Sequence, residues 1–343
     1  MRHIQISEYR QDPAVRELLA LAADPVDESA LQELLDDCRQ LQVLAAFGAD
    51  GGPVALAAYR LCDDYSLCIE YLAVLGTHQR RGFASALVKR LQELHGRCIW
   101  ATTDADAVDF YRALGCLISD SAADPRWPAA SRYLCTLPYA PLLCLQPTAD
   151  PAYEEVDGAP SRGIIELAPA DRRWPEDFEK IRAALSAALG SSALAIEHTG
   201  STSVPGLSAK PLIDVALLVP DADDEERYVP QLRAAGMLFW HREPGWYKHR
   251  MFKPGDGTGL AGGNIHVFSA GSPEFLRMVL FRDHLRSHRA DREAYAAVKR
   301  EAARQLAAAH GAQGLVMEYN RIKEPFILDL HRRIFGRQDF SPR

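Results

Sequence analysis

No cysteine follows Cys144, and no CxxC pair occurs anywhere in the 343 residues. The seven cysteines (Cys38, Cys62, Cys68, Cys98, Cys116, Cys135 and Cys144) are odd in number, which argues against a disulfide framework or a zinc knuckle. Most stand in apolar, strand-like runs and read as small core hydrophobes. No apolar run approaches the roughly 20 residues that span a bilayer. The opening MRHIQISEYRQDP has no apolar core of the secretory kind. The expectation is therefore no membrane association and a cytoplasmic location. Basic charge is scarce in the first half: residues 1–150 hold 13 Lys/Arg against 20 Asp/Glu, whereas 151–343 hold 26 of each. A net charge of −7 confined to the first half does not resemble a nucleic-acid binder and suits a cationic substrate, although acidic faces also serve solubility alone.

Length suits two domains of roughly 150 residues each, and the uneven cysteine and charge content places the divide near the middle. In the first half, apolar residues at helical spacing mark helices over 14–22 and 28–40, the second opened by Asp27–Glu28–Ser29. QVLAAFG and PVALAAYRL, joined by a Gly/Asp-rich turn at 49–52, read as a hairpin. LCIEYLAVL (67–75) and CIWATT (98–103) read as strands, with a helix over 83–94 between them. A helix over 104–114, stopped by Gly115, and strands over 116–120 and 131–138 complete the set. Residues 139–163, rich in Pro, Ala, Asp and Gly, read as a linker, with PTADPAYEEVDGAPSRG as its mobile part. In the second half, strands are expected over 164–168, 194–200, 211–219 and 264–270, with helices from Trp174 and over 224–236. A largely helical end begins at Ser272.

The stretch LCIEYLAVLGTHQRRGFASALVKRL is a strand, a turn with Arg and Gly, and a helix. A helix N-terminus offers free N–H groups and the positive end of a dipole, so such a turn suits a phosphate. Gly82 permits close backbone approach, Ala84 keeps the first turn small, and Arg80 and Arg81 add charge. This segment resembles the GNAT acetyltransferases, whose pyrophosphate loop Q/R-x-x-G-x-G/A is matched by Gln79, Arg80, Arg81, Gly82, Phe83 and Ala84. A second family signature is matched by Asp104, Ala107, Phe110, Tyr111 and Gly115. The resemblance covers about residues 1–138 and implies a mixed, mostly antiparallel α/β (α+β) fold with acetyl-CoA as cofactor. It implies that Leu72, Ala73 and Val74 lie on a strand that splays from its neighbour to bond the pantetheine arm. The amides of residues 80–85, Ser85 included, would hold the pyrophosphate. Glu70 would orient or deprotonate the amine, and Tyr111 would protonate the departing thiolate. The alternatives are a polar residue on a half-exposed strand for Glu70 and packing beside Phe110 for Tyr111. Asp104 stands where the family commonly has Asn; it is a candidate cofactor contact or a helix cap.

The segment IEHTGSTSVPGLSAKPLIDVALLV resembles the GrpB (UPF0157) family, as do RWPEDFEKIRAAL, GNIHVFSAGSPEF, LFRDHLRSH and YNRIK at 319–323. The likeness spans roughly 162–335 and implies a nucleotidyltransferase-like α/β domain over 164–338 with a helical C-terminal part. In that fold a Gly-Ser turn holds a triphosphate and a strand some ten residues on carries paired carboxylates for Mg²⁺. Gly200, Ser201 and Asp214 fit, with Asp214 as the candidate metal ligand, but Ala216 stands where the second carboxylate belongs. Glu197, His198 and His266 are candidates to complete the cluster; Lys210, Lys248 and Arg250 are candidates for phosphate. The alternative for His198 and His266 is a structural role on core strands. The Arg/His-rich run at 277–289 reads as a solvated helix face rather than an RNA surface.

The leading expectation is an acetyltransferase acting on a small-molecule amine, beside a GrpB-like domain that would bind or modify the same molecule or a related nucleotide, with Mg²⁺ as a candidate cofactor there. The alternatives are a nucleotidyltransferase with an acyl-binding partner domain, and a non-catalytic ligand sensor. Nucleic acid is not an expected partner. The family habit of dimerising adds a homodimer to the expected assemblies.

Overall fold

The computed structural model describes residues 1–62, 65–121, 131–144, 153–158, 164–311 and 314–336. They form two compact units that part near Ile118 and Ala140, with Leu134–Tyr139 returning to the first.

The first unit begins with β1 (Arg2–Ile4) and helices α1 (Ile6–Tyr9), α2 (Pro13–Ala23) and α3 (Glu28–Asp37). Asp12 starts α2 by accepting from the amides of Ala14 (2.9 Å) and Val15 (3.2 Å), and Asp27 starts α3 by accepting from Ala30 (2.9 Å). Both helices turn one apolar face, with Leu18, Leu19, Leu34 and Leu35, onto Val43, Ala45, Leu56 and Ala58 of the sheet. The strands are β2 (Gln42–Phe47), β3 (Pro53–Leu61), β4 (Ser66–Val74), β5 (Cys98–Thr103), β6 (Leu117–Ser121) and β7 (Arg132–Leu137). They lie in the order β1-β2-β3-β4-β5-β7-β6. Pairing is antiparallel from β1 to β4 and parallel between β4 and β5, which α4 (Phe83–His95) connects. This is the mixed, mostly antiparallel sheet expected. α5 (Val108–Ala113) is shorter than the helix expected from 104, because Asp104 takes the amides of Asp106 and Ala107 into a turn. None of the seven cysteines stands in a disulfide; Cys38, Cys68, Cys98 and Cys135 are buried, and burial pushes the Cys38 thiol up to about 12.

Part of the segment read as a linker is structured: Ala140–Cys144 forms α6, and Glu154–Glu155 forms β8 at the edge of the second sheet. Of the stretch read as mobile, only 153–158 lie among the described residues. The second unit continues with α7 (Trp174–Leu189), β9 (Ala195–Thr199), β10 (Ile213–Val219), α8 (Val229–Ala234), β11 (Met237–Glu243), β12 (His249–Pro254) and β13 (Gly263–Ser269). The chain closes with α9 (Pro273–Ser287), α10 (Arg289–His310) and α11 (Val316–Phe335). The sheet order is β8-β11-β12-β13-β10-β9, parallel only between β10 and β13. β10 is buried along its length except at Asp214, with α7 packed on one face through Ile181 and Leu185. No strand forms over 164–168. Ile165 packs instead with Ala302, Leu306 and Tyr319, and a single bridge ties Ala168 to Ala209. The run at 277–289 is a solvated face only in part: Arg286, His288 and Arg289 are exposed, but Arg277 and Arg282 are buried, the first bonded to the carbonyls of Leu142 and Leu143, the second to that of His198.

Removing the α2 cap by Asp12→Ala leaves two amides without their acceptor. The expected cost is about 1 kcal/mol, read as a shift in the urea midpoint of the first unit's unfolding.

Candidate functional site

In the first unit, the β3–β4 register passes from Ala58↔Tyr71 to Tyr59↔Ile69 and skips Glu70, so a bulge forms at that residue. β4 pairs with β5 only over Ser66–Cys68, opposite Cys98–Trp100. Beyond it the two strands part. Leu72, Ala73 and Val74 stay bonded to β3 on one side and have no strand partner on the other among the described residues. The chain then turns through Arg80 (φ 56°) and Gly82 (φ 81°) into α4. Gly82 at the N-cap has no side chain to cap the first turn of α4, so the amides of Phe83, Ala84 and Ser85 face outward from a helix start. A Cβ at Gly82 would meet nothing within 4 Å, so backbone conformation, not crowding, favours glycine there. Gln79, Arg80 and Arg81 are exposed; Gln79 Nε2 donates to the carbonyl of Val74 at 3.3 Å.

Arg60, which the sequence reading did not single out, holds Glu70 at 2.7 Å and lies over Trp100, 5.4 Å from the ring centroid. Any cationic ligand at this carboxylate would compete with a guanidinium. Tyr111 is buried, edge-on to Phe110 at 5.1 Å, and burial pushes its phenol well above the ordinary value. Asp104 spends one carboxylate oxygen on the amides of Asp106 and Ala107 in the turn before α5, whose N-cap is Ala107 rather than Asp104.

In the second unit, strand register decides which candidates meet. Asp214 lies opposite Thr199 and Asn264, and Ala216 lies opposite Glu197 and His266. Directly paired residues share a face, so Asp214, Glu197 and His266 stand on one side of the sheet. Asn264 donates to Asp214 Oδ1 at 2.8 Å, and His266 Nε2 lies 3.9 Å from the same oxygen. Burial alone would push the Asp214 carboxyl up, but His266, Asn264 and Lys210 together hold it below its ordinary value. The Gly200 turn passes so close that a Cβ there would sit 2.1 Å from Asp214 Oδ2, and φ is +65°.

Three candidates are not brought to this site. His198 pairs with Val215 and so points to the opposite face, where it stacks on Phe178 at 4.7 Å and bonds Thr202 at 3.1 Å. Burial pulls it down to about 4, as befits a neutral core histidine. Arg250 pairs with Val267 and likewise faces away from His266. It binds Asp223 and Glu225, and Lys248 binds Asp223 at 2.6 Å. Glu197 is on the right face but is neutralised by Arg282 at 2.8 Å, so it does not replace the missing carboxylate.

A cavity of about 220 Å³ opens beside Asp214. Gly200, Ser201, Lys210 and His266 line it as expected, and so do Lys299 and Lys323, which the sequence reading missed. Lys299 is 2% exposed and donates to the carbonyl of Ser208; Lys323 lies 4.1 Å from the centroid of the Tyr319 ring. Burial, aided by the neighbouring lysines, pulls both down to about 7. The missed signal is a repeated spacing: Tyr295 with Lys299 on α10 and Tyr319 with Lys323 on α11, each i,i+4 and so on one helix face. The Tyr319 hydroxyl is buried without a hydrogen-bond partner among the described residues.

The family model described as GrpB protein matches residues 164–333. A UPF0157 protein of Halalkalibacterium halodurans is 46% identical over 160 residues, covering 46% of this chain and 80% of that one. The chain belongs to the GrpB (UPF0157) family. The model of the acetyltransferase (GNAT) family matches residues 12–116, so a GNAT domain precedes the GrpB domain. Among solved structures, the conserved protein GrpB from Enterococcus faecalis is 28% identical, covers 50% of this chain and 98% of its own, and gives a TM-score of 0.42. A GNAT family acetyltransferase from Elizabethkingia anophelis with acetyl-CoA bound is 17% identical, covers 36% and 90%, and gives 0.30. No helix among the described residues is long and apolar enough to cross a membrane.

Gly200→Ala drives a methyl group into the Asp214 carboxylate and strains a left-handed backbone. The expected loss is about 3 kcal/mol or more, measured as a lower denaturation midpoint for the GrpB unit with the GNAT unit's transition unchanged.

Proposed function

We propose that the chain is an acetyl-CoA-dependent N-acetyltransferase of a small amine, with its two domains at about 1–138 and 164–338. The observation that carries this reading is the parting of β4 from β5 directly before an uncapped helix start. The free edge of Leu72–Val74 suits an extended amide-bearing arm, which adds to a sheet edge by main-chain bonds. The amides of Phe83, Ala84 and Ser85, with Arg80 and Arg81 beside them, suit a pyrophosphate. The amine nitrogen would attack the thioester carbonyl, forming an N–C bond as the C–S bond breaks; the nitrogen would give up a proton to water held by Glu70, and the leaving sulfur would take one from Tyr111. Tyr111 keeps its proton at neutral pH and is the assigned donor. Glu70 orients the incoming amine, and Arg60, 2.7 Å away, holds the carboxylate in place.

Calorimetry on the intact chain tests this. One acetyl-CoA is expected to bind per chain. Gly82→Glu, which sets a carboxylate against the pyrophosphate, should weaken binding about a hundredfold or more, ~2.8 kcal/mol. Tyr111→Phe should lower kcat about a hundredfold with KM little changed. Unaltered turnover would take Tyr111 out of the mechanism, and full affinity in Gly82→Glu would remove the loop.

The GrpB cavity supports a second, separate role: capture of a phosphate-bearing ligand such as a nucleotide. Lys210, Lys299 and Lys323 supply cations, and the Gly200–Ser201 turn supplies backbone. With Ala216 in place of a carboxylate and Glu197 tied to Arg282, Asp214 is, among the described residues lining the cavity, its one carboxylate, which favours binding over Mg²⁺-dependent nucleotidyl transfer. Because Lys299 and Lys323 titrate near 7, raising the pH removes their charge. ATP, fully ionised above about pH 7.5, is expected to bind about tenfold more weakly at pH 9 than at pH 7.5. Lys323→Gln should weaken binding at pH 7.5 and flatten that profile. Affinity independent of pH would sink the assignment of these lysines.

A further inference from the structure

A second polar cluster lies on the same sheet. His241 and Glu243 end β11, and His249 opens β12, directly across from Glu243 in the register. His241 Nε2 and His249 Nδ1 converge on one carboxylate oxygen, Glu243 Oε2, at 3.2 and 2.6 Å. One ligating atom from each residue falls within 4.8 Å of the other two. His241 and His249 are 8% and 1% exposed.

We propose that His241, Glu243 and His249 form a binding site for a divalent transition ion of the zinc type. Neutral imidazole and carboxylate ligands at about 2.0–2.2 Å from such an ion would stand about 3.3 Å apart in a tetrahedron, a spacing the cluster already approximates. Two nitrogens and one oxygen match zinc and its neighbours and do not match calcium or magnesium, which take oxygen ligands. The outer shell has the form that orients metal-bound histidines. His249 Nε2 bonds His266 Nδ1 at 3.0 Å, and His266 Nε2 turns toward Asp214 at 3.9 Å. Hydrogen bonding within the cluster leaves the other ring nitrogen of His241, Nδ1, buried without a partner. The rings of Tyr153, 4.7 Å from His241, and Trp246, 4.8 Å from His249, wall the site against solvent. Three protein ligands leave a fourth position for water or an exogenous group.

The test uses the full chain, stripped with chelator and checked for folding by circular dichroism, then titrated with Zn²⁺ and separately with Co²⁺. One tight equivalent per chain is expected. Co²⁺ should give ligand-field bands of a nitrogen and oxygen site without a thiolate charge-transfer band. Glu243→Gln and His241→Ala, both verified as folded, should each weaken uptake by at least about tenfold. Three results would overturn the site: no stoichiometric uptake by the folded chain, a thiolate band that moves the ion to the cysteines, or undiminished uptake in both variants. The Co²⁺ spectrum of the unmodified chain decides the matter even if a variant fails to fold.

Discussion

The GrpB unit is organised around a carboxylate in an apolar strand. Asp214 interrupts the run Ile213–Val219, whose other residues are buried. A charge withdrawn from water in such a strand costs several kcal/mol unless it is paired and hydrogen-bonded. Each neighbouring element meets part of that demand: Asn264 from the parallel strand, His266 two residues on, Lys210 from the preceding loop. The Gly200 turn can approach because it has no side chain to collide with the carboxylate. The same requirement accounts for the tight β9–β10–β13 register. A slip by one residue would send Asp214 to the face packed by α7 and put Val215 into the cavity.

The GNAT unit depends on a different constraint, the separation of two parallel strands. A bulge at Glu70 raises the local twist of β4, and the strand leaves β5 after Cys68. Both effects direct the strand end toward the open start of α4, so the free sheet edge and the free helix amides adjoin. Unpaired backbone groups in a sheet are a liability unless something occupies them. Here they lie where the turn through Arg80 and Gly82 adds positive potential.

Much of this was legible in the sequence, for definite reasons. The strand–turn–helix around Gly82 announces itself because Gly and Arg interrupt two strongly periodic segments. The hairpin at 42–61 is legible because two apolar runs flank a Gly/Asp turn, and both strands are buried along most of their length. β11 and β12 were missed because their buried positions include His241 and His249, so apolar alternation is broken where the sheet turns polar inside. The strand expected at 164–168 failed for the opposite reason: Ile165 and Leu167 are apolar because they pack against helices, not because they join a ladder. Arg250 and His198 illustrate a limit of reading by chemistry alone. Each has a suitable side chain near the right place in sequence, and each is sent to the wrong face by a single step of register. Lys299 and Lys323 lie far along the chain from Gly200, and only the tertiary packing of α10 and α11 brings them to its cavity.

The charge balance of that cavity leads one step further. Three lysines face one ionised carboxylate. Burial, with repulsion among the lysines, pulls Lys299 and Lys323 down to about 7, so they are only partly charged near neutrality. A cluster kept only for stability would gain from replacing such lysines with apolar residues, because the desolvation penalty is not repaid within the protein. An anion entering the cavity would repay it, restoring full charge to the lysines and so taking up protons as it binds. Without an anion the site is held in a costly state, and that cost raises the selectivity for a multiply charged ligand over a neutral one. The buried, unpartnered hydroxyl of Tyr319 beside Lys323 fits the same account, since an incoming oxygen would give it the acceptor it lacks.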